Sequence, residues 1–176
     1  RRSFVRLYLR NKTLTETREK RVFDFCFIID KDGNVASFAF KKNKIMVDLE
    51  MNYDDIFEEI EQNEYSELSD YFEMLYTLGE LLYSRRNDGK TFETYDDSLG
   101  YNLPFPREFN SLVNLFVAKK LDKEGIPFIY DVKETNKTYG KSIAYYTSKR
   151  QKNDLYKDVY GAFTSPMQNY EDMKNL

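Results

Sequence analysis

The chain has 176 residues, the size of a single domain, and its 27 Lys and Arg against 30 Asp and Glu leave a net charge of −3. That balance excludes the uniformly basic surface of chromatin-type nucleic-acid binders, so a nucleic-acid site here has to be a local patch. The absence of histidine excludes histidine-ligated zinc and Ser-His or Cys-His nucleophiles, and the single cysteine excludes an internal disulfide. No stretch of about 20 apolar residues is present to span a membrane and no secretory signal opens the sequence, so we expect an intracellular protein, cytoplasmic or organellar, without membrane contact.

The first part of the sequence predicts three strands. Apolar and polar side chains alternate enough over Phe4 to Leu9 to predict a short strand. The segments Arg21 to Ile29 and Val35 to Phe40 are rich in aromatic and β-branched residues, which favour strands. The residues between them, Asp30 to Asn34, are of types that favour turns, and Gly33 readily adopts a positive φ. The sequence therefore predicts a β-hairpin.

Three helices are expected in the middle of the chain. Asn52 is a suitable N-cap for a short helix, and the acidic residues that follow it favour the positive end of the helix dipole. Apolar residues at 3.6-residue spacing indicate two longer helices, from about Ser66 to Arg86 and from Arg107 to Lys123. The apolar positions of the first are Leu68, Tyr71, Phe72, Leu75, Leu78 and Leu82. Gly79 within it costs about 1 kcal/mol relative to alanine, which predicts a close approach of another segment.

The last part of the sequence predicts a helix stop, a strand and a final helix. Gly125 is placed to end the third helix, and Ile126 to Val132 has the composition of a buried strand. In Thr164-Ser165-Pro166, capping hydroxyls precede a proline, which predicts a terminal helix from Pro166 onward. These elements together indicate an α+β fold.

Carboxylates are the first side chains to consider for catalysis, since histidine is absent. Asp30 and Asp32 flank one turn, and Asp54 and Asp55 open one helix together with acidic residues of the next turn. Paired carboxylates hold Mg²⁺ only when ligands converge from several elements, so turn polarity and a solvated helix end are sufficient explanations for both groups.

Aromatic residues alternate with cations between Lys133 and Lys157. This stretch contains seven Lys and Arg residues against two acids, Glu134 and Asp154, and four tyrosines. Bases stack on aromatic rings and cations hold phosphates, so the stretch favours a local RNA-binding patch. A solvated lysine surface over core tyrosines is the alternative.

Four segments of the chain carry a family pattern. They are residues 21–53 with the turn DKDGNV and the later MNYDDI, YSRRNDG at 83–89, REFNSLVNLFVAKKLDKEGIPFIYDV at 107–132 and GAFTSPMQNYEDM at 161–173. In this order and roughly this spacing they resemble the catalytic (RNB) domain of the ribonuclease II/ribonuclease R family of 3′→5′ exoribonucleases, whose last motif contains TSPIRRY. The resemblance implies an RNB-like mixed sheet with a β-hairpin and packed amphipathic helices, forming a single partial domain over residues 1–176.

The chain departs from this family where the family carries its catalytic groups. The family holds Mg²⁺ in a cluster of aspartates upstream of the matched region, and this chain has no corresponding run. The family's arginines after TSP are replaced by the neutral Gln168 and Asn169, and its histidine after the strand by Lys133. The resemblance therefore implies no cofactor in this chain, with Mg²⁺ present only if the family site is completed elsewhere.

The resemblance also implies candidate RNA-binding residues. Tyr8 matches a tyrosine near the entry of the family's channel, and Tyr53 and Phe92 match aromatic residues that clamp the 3′-terminal nucleotides. Ordinary packing of half-buried rings is the alternative for these three. Thr164 and Ser165 are helix-capping residues whose neighbouring backbone amides are able to contact phosphate.

We therefore expect a divergent RNB domain that binds single-stranded RNA or acts as a scaffold in a larger protein or ribonucleoprotein assembly, and that is catalytically inactive by itself. One alternative is part of an active Mg²⁺-dependent 3′→5′ exoribonuclease whose aspartates lie outside this sequence. The other is an acidic protein-interaction module without RNA binding. DNA is not an expected partner under any of these interpretations.

Overall fold

A computed structural model describes residues 3–9, 19–48, 51–62, 67–92, 95–96, 100–101, 103–135 and 141–164. The elements of the described residues are, in chain order, β1 (Ser3–Leu9), β2 (Lys20–Ile29), β3 (Val35–Ile45), α1 (Tyr53–Gln62), α2 (Glu67–Arg86), β4 (Tyr95–Asp96), β5 (Gly100–Tyr101), α3 (Pro104–Glu124), β6 (Tyr130–Thr135) and β7 (Ser142–Thr147). The strands pair as β1-β2-β3, β4-β5 and β6-β7, and all of these pairings are antiparallel. The expected α+β class is confirmed.

The predicted hairpin and the strand before it form one sheet with β2 at its centre. Strand β3 pairs with β2 as far as Ile45, beyond the predicted end at Phe40. The prediction stops at Phe40 because lysines follow it, and lysine is depleted in strands. Pairing with β2 overrides that preference.

The turn between β2 and β3 is closed by Asp30. Its carboxylate accepts hydrogen bonds from the backbone N–H of Asp32 at 2.9 Å and of Asn34 at 2.8 Å. Gly33 takes the left-handed φ of 76° that the turn requires. These bonds explain the acidic turn as a structural feature of the hairpin.

The main core lies between one face of the sheet and the helices α1, α2 and α3. Phe27 and Ile29 of β2 are fully buried in it, and Phe27 packs edge-to-face on Phe116 of α3 with ring centroids 5.6 Å apart. Burying one such side chain stabilises the fold by about 1.5–3 kcal/mol. The predicted apolar positions of α2 pack into the same core, where Leu68 is half-buried and the others are buried, except for Tyr71, which is 51% exposed. That prediction was wrong because Tyr71 lies at the edge of the apolar stripe, next to the buried Phe72.

Helices α2 and α3 approach closely at Gly79. A Cβ at this position would lie 2.6 Å from the backbone nitrogen of Phe105 and 2.7 Å from its Cα. Real side chains do not come this near to backbone atoms, so the crossing requires glycine. The close approach predicted from the sequence is confirmed.

The start of α1 is capped reciprocally. Asn52 Oδ1 accepts a hydrogen bond from the backbone N–H of Asp55 at 2.9 Å, and Asp55 Oδ2 accepts one from the backbone N–H of Asn52 at 3.3 Å. This arrangement satisfies two amides that the helix leaves without partners. The predicted cap at Asn52 is confirmed, and it fixes the direction in which α1 leaves the chain segment before it.

Helix α3 begins at Pro104, earlier than the predicted Arg107, and ends as predicted. Proline is favourable in the first helical turn because its missing N–H has no partner there anyway. At the other end Gly125 is left-handed, with φ of 70°. The backbone N–H of Ile126 donates to Leu121 O at 2.9 Å, which completes the cap.

The strand expected over residues 126–132 begins only at Tyr130. Residue Ile126 is 45% exposed, and its N–H is used by the cap of α3, so the prediction was wrong for the first part of this segment. Strand β6 pairs with β7, a strand that was not predicted and that lies within the aromatic and basic stretch. A second core forms beneath this pair; its buried members are Ala118, Phe128, Tyr130, Val132, Val159 and Phe163.

Within the described ranges, no helix is both long enough and apolar enough to cross a bilayer. The terminal helix predicted from Pro166 onward lies outside these ranges.

Candidate functional site

A cavity of about 570 Å³ opens where four parts of the fold meet. They are the β2–β3 turn, the C-terminal end of α2, the middle of α3 and the loop at 155–157. The floor is apolar and consists of Val35, Leu82, Leu112, Leu115, Phe116 and Leu155. A cavity of this size and lining is typical of small-molecule sites and is large enough for a nucleobase.

One wall of the cavity carries a buried ion pair between α2 and α3. Arg86 Nε donates to Glu108 Oε2 at 3.0 Å, and Arg86 Nη2 donates to Glu108 Oε1. The two side chains are only 13% and 3% exposed. Burial by itself lowers the pKa of Arg86, but the hydrogen bond and charge of Glu108 outweigh it, so the pKa is raised. The guanidinium is therefore a fixed, charged part of the wall.

Two tyrosine rings flank this guanidinium. The Arg86 Cζ atom lies 5.6 Å from the ring centroid of Tyr83 and 5.8 Å from that of Tyr156. Tyr156 stacks on Tyr160 with centroids 4.0 Å apart and donates from its hydroxyl to Ser111 Oγ at 3.1 Å. Burial, and then the neighbouring Tyr156, raise the pKa of Tyr160. Of these three tyrosines Tyr156 lines the cavity, and its stack on Tyr160 and its bond to Ser111 hold its ring in place.

The segment that carries these tyrosines is tied to α3 by Asn114. Its Nδ2 donates to Tyr160 Oη at 3.1 Å and to Thr164 Oγ1 at 3.4 Å. Its Oδ1 accepts from the backbone N–H of Phe163 at 2.9 Å. Asn114 follows Glu108 and Ser111 at intervals of three residues, so all three lie along one side of α3. This polar side of the helix positions the cavity wall.

The rim of the cavity contains strained backbone. In the described part of the chain, Asp88 and Lys157 are the non-glycine residues with positive φ, at 55° and 56°, and both line the cavity. Such conformations cost on the order of 1–3 kcal/mol each and are concentrated at functional sites. The strain at two points of one rim supports a binding role for this cavity.

The rim carries two exposed cations, Arg85 and Lys157, and one exposed acid, Asp88. Arg85 Nη1 reaches the backbone oxygen of Asp32 at a long 3.4 Å. The hydroxyl of Ser111, which also lines the cavity, accepts a hydrogen bond from Tyr156. The apolar lining and the two cations are suited to binding an anion with an apolar or aromatic body.

The structure places the three predicted aromatic residues in different elements. Tyr8 lies in β1 opposite Asp24, and Tyr53 is the first residue of α1; only their backbones are described. Phe92 is 7% exposed and packs edge-to-face on Tyr83 with centroids 5.0 Å apart. This is the packing alternative given for Phe92, and it supports the ring that flanks Arg86. RNA contact by the three residues remains a prediction.

The two predicted capping residues are only partly described. Thr164 is half-buried and its Oγ1 meets Asn114, so it belongs to the contacts that position the cavity wall. Ser165 lies outside the described residues. The expected contact of either residue with phosphate remains a prediction.

The described carboxylates do not fit a magnesium site. Mg²⁺ needs oxygen ligands converging in near-octahedral geometry, and no group of three His, Cys, Asp or Glu residues in the described ranges is arranged to hold a metal. The Asn34 side chain and backbone amide hold the pKa of Asp30 below its ordinary value, since both donate to its carboxylate. Asp55 is used by the α1 cap.

The basic stretch between Lys133 and Lys157 is divided by internal pairing. Arg150 makes a bidentate ion pair with Asp122, at 2.8 and 2.9 Å. Tyr145 donates to Glu134 at 2.8 Å, and Tyr156 faces the cavity. Among the residues of this stretch that the structure describes, the exposed lysines that remain are Lys141, Lys149, Lys152 and Lys157. Only Lys157 joins the cavity, so the stretch is not one continuous patch with its tyrosines.

Sequence reasoning missed Glu108 and Asn114 as site residues, and it included Tyr156 only as one of the tyrosines of the basic stretch. Glu108 and Asn114 both lie in the segment at 107–132 that carries the family pattern, and their polar character on an otherwise apolar side of a helix was an available signal. A buried polar residue needs a partner, so each predicts a contact from another element. The identity of that partner was not readable from spacing.

Comparison with known proteins identifies the fold. No protein-family model matches the sequence, and no curated protein matches it either. RNase R of Mycoplasma genitalium, solved with double-stranded RNA, has a TM-score of 0.69 at 14% identity over 91% of this chain and 41% of that chain. The Dss1 exoribonuclease of Candida glabrata, an active-site mutant, gives 0.68 at 15% identity over 89% of this chain and 27% of that one. Yeast Ssd1, a pseudonuclease, gives 0.69 at 13% identity over 93% and 29%.

At these identities the likeness shows the fold. The resemblance inferred from four sequence segments is confirmed as a shared RNB-type fold. The chain spans 41% or less of the length of these solved proteins, so it corresponds to a part of each.

Proposed function

We propose that this chain, which has the fold of part of RNase R, binds single-stranded RNA without hydrolysing it. The observation that carries the proposal is the cavity with the rings of Phe116 and Tyr156 in its lining, its apolar floor and the cations Arg85 and Lys157 at its rim. The same fold in Mycoplasma genitalium RNase R was solved with ribose-methylated single-stranded RNA and with double-stranded RNA. A protein of this fold is also described as a pseudonuclease.

The cavity suits one nucleotide of a single strand. A base placed over Phe116 and the leucines of the floor buries apolar surface, while Arg85 and Lys157 at the rim meet the phosphates. Arg86 is already paired with Glu108, so its main effect is to hold the rings of Tyr83 and Tyr156 in place. The resulting site favours any base with an exposed π-face and carries little sequence preference.

Hydrolysis needs groups that the described residues do not bring together. Phosphodiester cleavage by this kind of enzyme depends on divalent ions that activate water and neutralise the developing charge. The described carboxylates do not fit such an ion. The neutral Gln168 and Asn169 stand where the resembled family carries arginines, and an amide supplies no positive charge to the transition state. These two features support binding without turnover.

The proposal is tested by equilibrium binding of a fluorescently labelled oligouridylate at several salt concentrations. Phosphate contacts release counterions, so the logarithm of the association constant should fall linearly with the logarithm of salt, with a slope of about −0.7 per contact. We expect saturable binding and such a slope. If no binding is detected at low salt, the proposal is wrong and the acidic protein-interaction module is favoured.

Replacing Tyr53 with alanine should weaken RNA binding by about 1–3 kcal/mol, the value of one base–aromatic stacking contact. The cap of α1 uses Asn52 and Asp55, so the helix is retained in the variant. Tyr71→Ala is the matched control, because Tyr71 is an aromatic residue of α2 that is 51% exposed and does not line the cavity. If the Tyr53 variant and the Tyr71 control bound RNA with equal affinity, Tyr53 would be a packing residue and not a base-stacking residue.

A second candidate function is suggested by how little of each solved exoribonuclease chain this chain covers. The chain covers only 27–41% of the RNase R and Dss1 chains, so residues outside it are able to supply what the described part does not. On that hypothesis the chain is part of an active Mg²⁺-dependent exoribonuclease or of a larger assembly. Shortening of a 3′-tailed RNA by the complete protein, abolished by a chelator, would establish it.

A further inference from the structure

A row of phenylalanines leads away from the cavity across the surface formed by β3 and α3. Phe116 lines the cavity and lies 5.5 Å from Phe38, and Phe38 lies 6.2 Å from Phe40, measured between ring centroids. Phe38 and Phe116 are half-buried. The row therefore runs from the cavity to the surface and ends at Phe40.

Phe40 is exposed although its neighbours bury their rings. It is 42% exposed, while Phe25, on which it stacks at 5.9 Å, is 5% exposed. A phenylalanine that is 42% exposed gives up roughly two-fifths of the free energy that full burial would provide. An exposed ring that stacks on a buried one, with the ring planes 28° apart, is held in position for a further stacking contact.

Lysines accompany the row on both elements. Lys120 Nζ lies 5.7 Å from the centroid of Phe40, and Lys119 Nζ lies 5.7 Å from that of Phe116. Lys42 is exposed and follows Phe40 on the same face of β3, since side chains two apart on a strand share a face. A single RNA strand presents each base with a phosphate on either side. A phenylalanine ring with lysines at this distance is able to stack on the base while the lysines meet the phosphates.

The acids on this surface bind the lysines only weakly. Lys119 pairs with Asp158 at 3.0 Å and Lys120 with Glu124 at 2.7 Å, and all four side chains are at least 35% exposed. Exposed pairs of this kind contribute little and are screened by salt, so a phosphate is able to displace the carboxylate. Among the described residues, Lys42 has no ion pair.

Charge also argues against strand addition at this edge. In the described sheet β3 is an edge strand, and it carries Lys41, Lys42 and Lys44. Lysines on an edge strand oppose pairing with another strand. A polyanion is the occupant that they favour.

We propose that Phe40, with Lys42 and Lys120, is a second base-stacking position, which carries a bound single-stranded RNA from the cavity across the β3–α3 surface. The inference rests on the proposed function, because it names a further contact surface for the same strand. It extends the site by residues that neither sequence motif nor fold similarity had singled out.

The test compares variants of the complete protein for binding to oligouridylates of increasing length. Phe40→Ala should weaken binding of a strand long enough to leave the cavity by about 5- to 100-fold, and Phe40→Trp should restore it, because a larger ring still stacks. Lys42→Gln should reduce the magnitude of the salt slope by about 0.7, whereas Lys149→Gln, at an exposed lysine after β7, should not. The slope does not depend on how stable Phe40→Ala is.

The outcomes separate the two proposals. If the wild-type protein binds RNA and the Phe40 and Lys42 variants bind with unchanged affinity and slope, this surface is wrong and the proposed function stands. If the wild-type protein does not bind RNA, both fall. If the variants change self-association or protein binding and leave RNA affinity unchanged, the surface is a protein contact and the inference is overturned.

Discussion

Replacing Glu108 with alanine should lower the free energy of unfolding by about 3–5 kcal/mol, because it leaves the charge of Arg86 buried without a partner. The two side chains are 13% and 3% exposed, so water does not reach the guanidinium freely. Urea unfolding followed by circular dichroism measures the effect. Simultaneous replacement of Arg86 by methionine and Glu108 by leucine should recover a large part of the loss, since two apolar groups need no pairing.

The matched control for Glu108 is Glu124→Ala, which removes the exposed partner of Lys120. Both side chains of that pair are more than 40% exposed. An exposed pair contributes about 0–1 kcal/mol, so this variant should unfold almost like the wild type. A loss of similar size in the two variants would contradict the account of a desolvated pair in the cavity wall.

Replacing Gly79 with alanine should destabilise the protein by about 1–3 kcal/mol, the usual cost of overpacking a tight contact. The sign is the informative part, because alanine inside a helix is otherwise favoured over glycine by about 1 kcal/mol. The added Cβ meets the backbone of Phe105 at 2.6 Å, and backbone moves less readily than a side chain. Helices α2 and α3 must therefore separate, which also widens the cavity between them.

Thr77→Ala is the control for this prediction, because Thr77 is exposed on the same helix. It should raise stability by a few tenths of a kcal/mol through helix propensity alone. If Gly79→Ala raised stability as the control does, the close crossing of the two helices would be wrong.

The sequence predicted the elements whose signals are local. The β2–β3 hairpin follows from a strand composition on both sides of Asp30–Asn34, the start of α1 from one capping residue, and the end of α3 from Gly125. Each of these depends on hydrogen bonds within a few residues. The four-segment resemblance likewise predicted a fold that the solved structures share, despite identities of 13–15%.

The candidate site was harder to predict because it is built from distant contacts. Arg86 of α2 meets Glu108 of α3, and Tyr156 reaches Arg86 and Ser111 from a loop near the end of the described chain. Nothing in the periodicity of α3 indicates which element its polar residues face. The prediction that the strand begins at residue 126 was wrong for a related reason, because the N–H of Ile126 donates to the cap of α3.

The proposed function requires that RNA is bound and left intact. The most direct measurement incubates the protein with a 5′-labelled single-stranded RNA in Mg²⁺ and follows binding and strand length in the same samples. We predict saturable binding that weakens with salt and an RNA that stays at full length. A ladder of products shortened from the 3′ end, formed in Mg²⁺ and absent with a chelator, would contradict the claim.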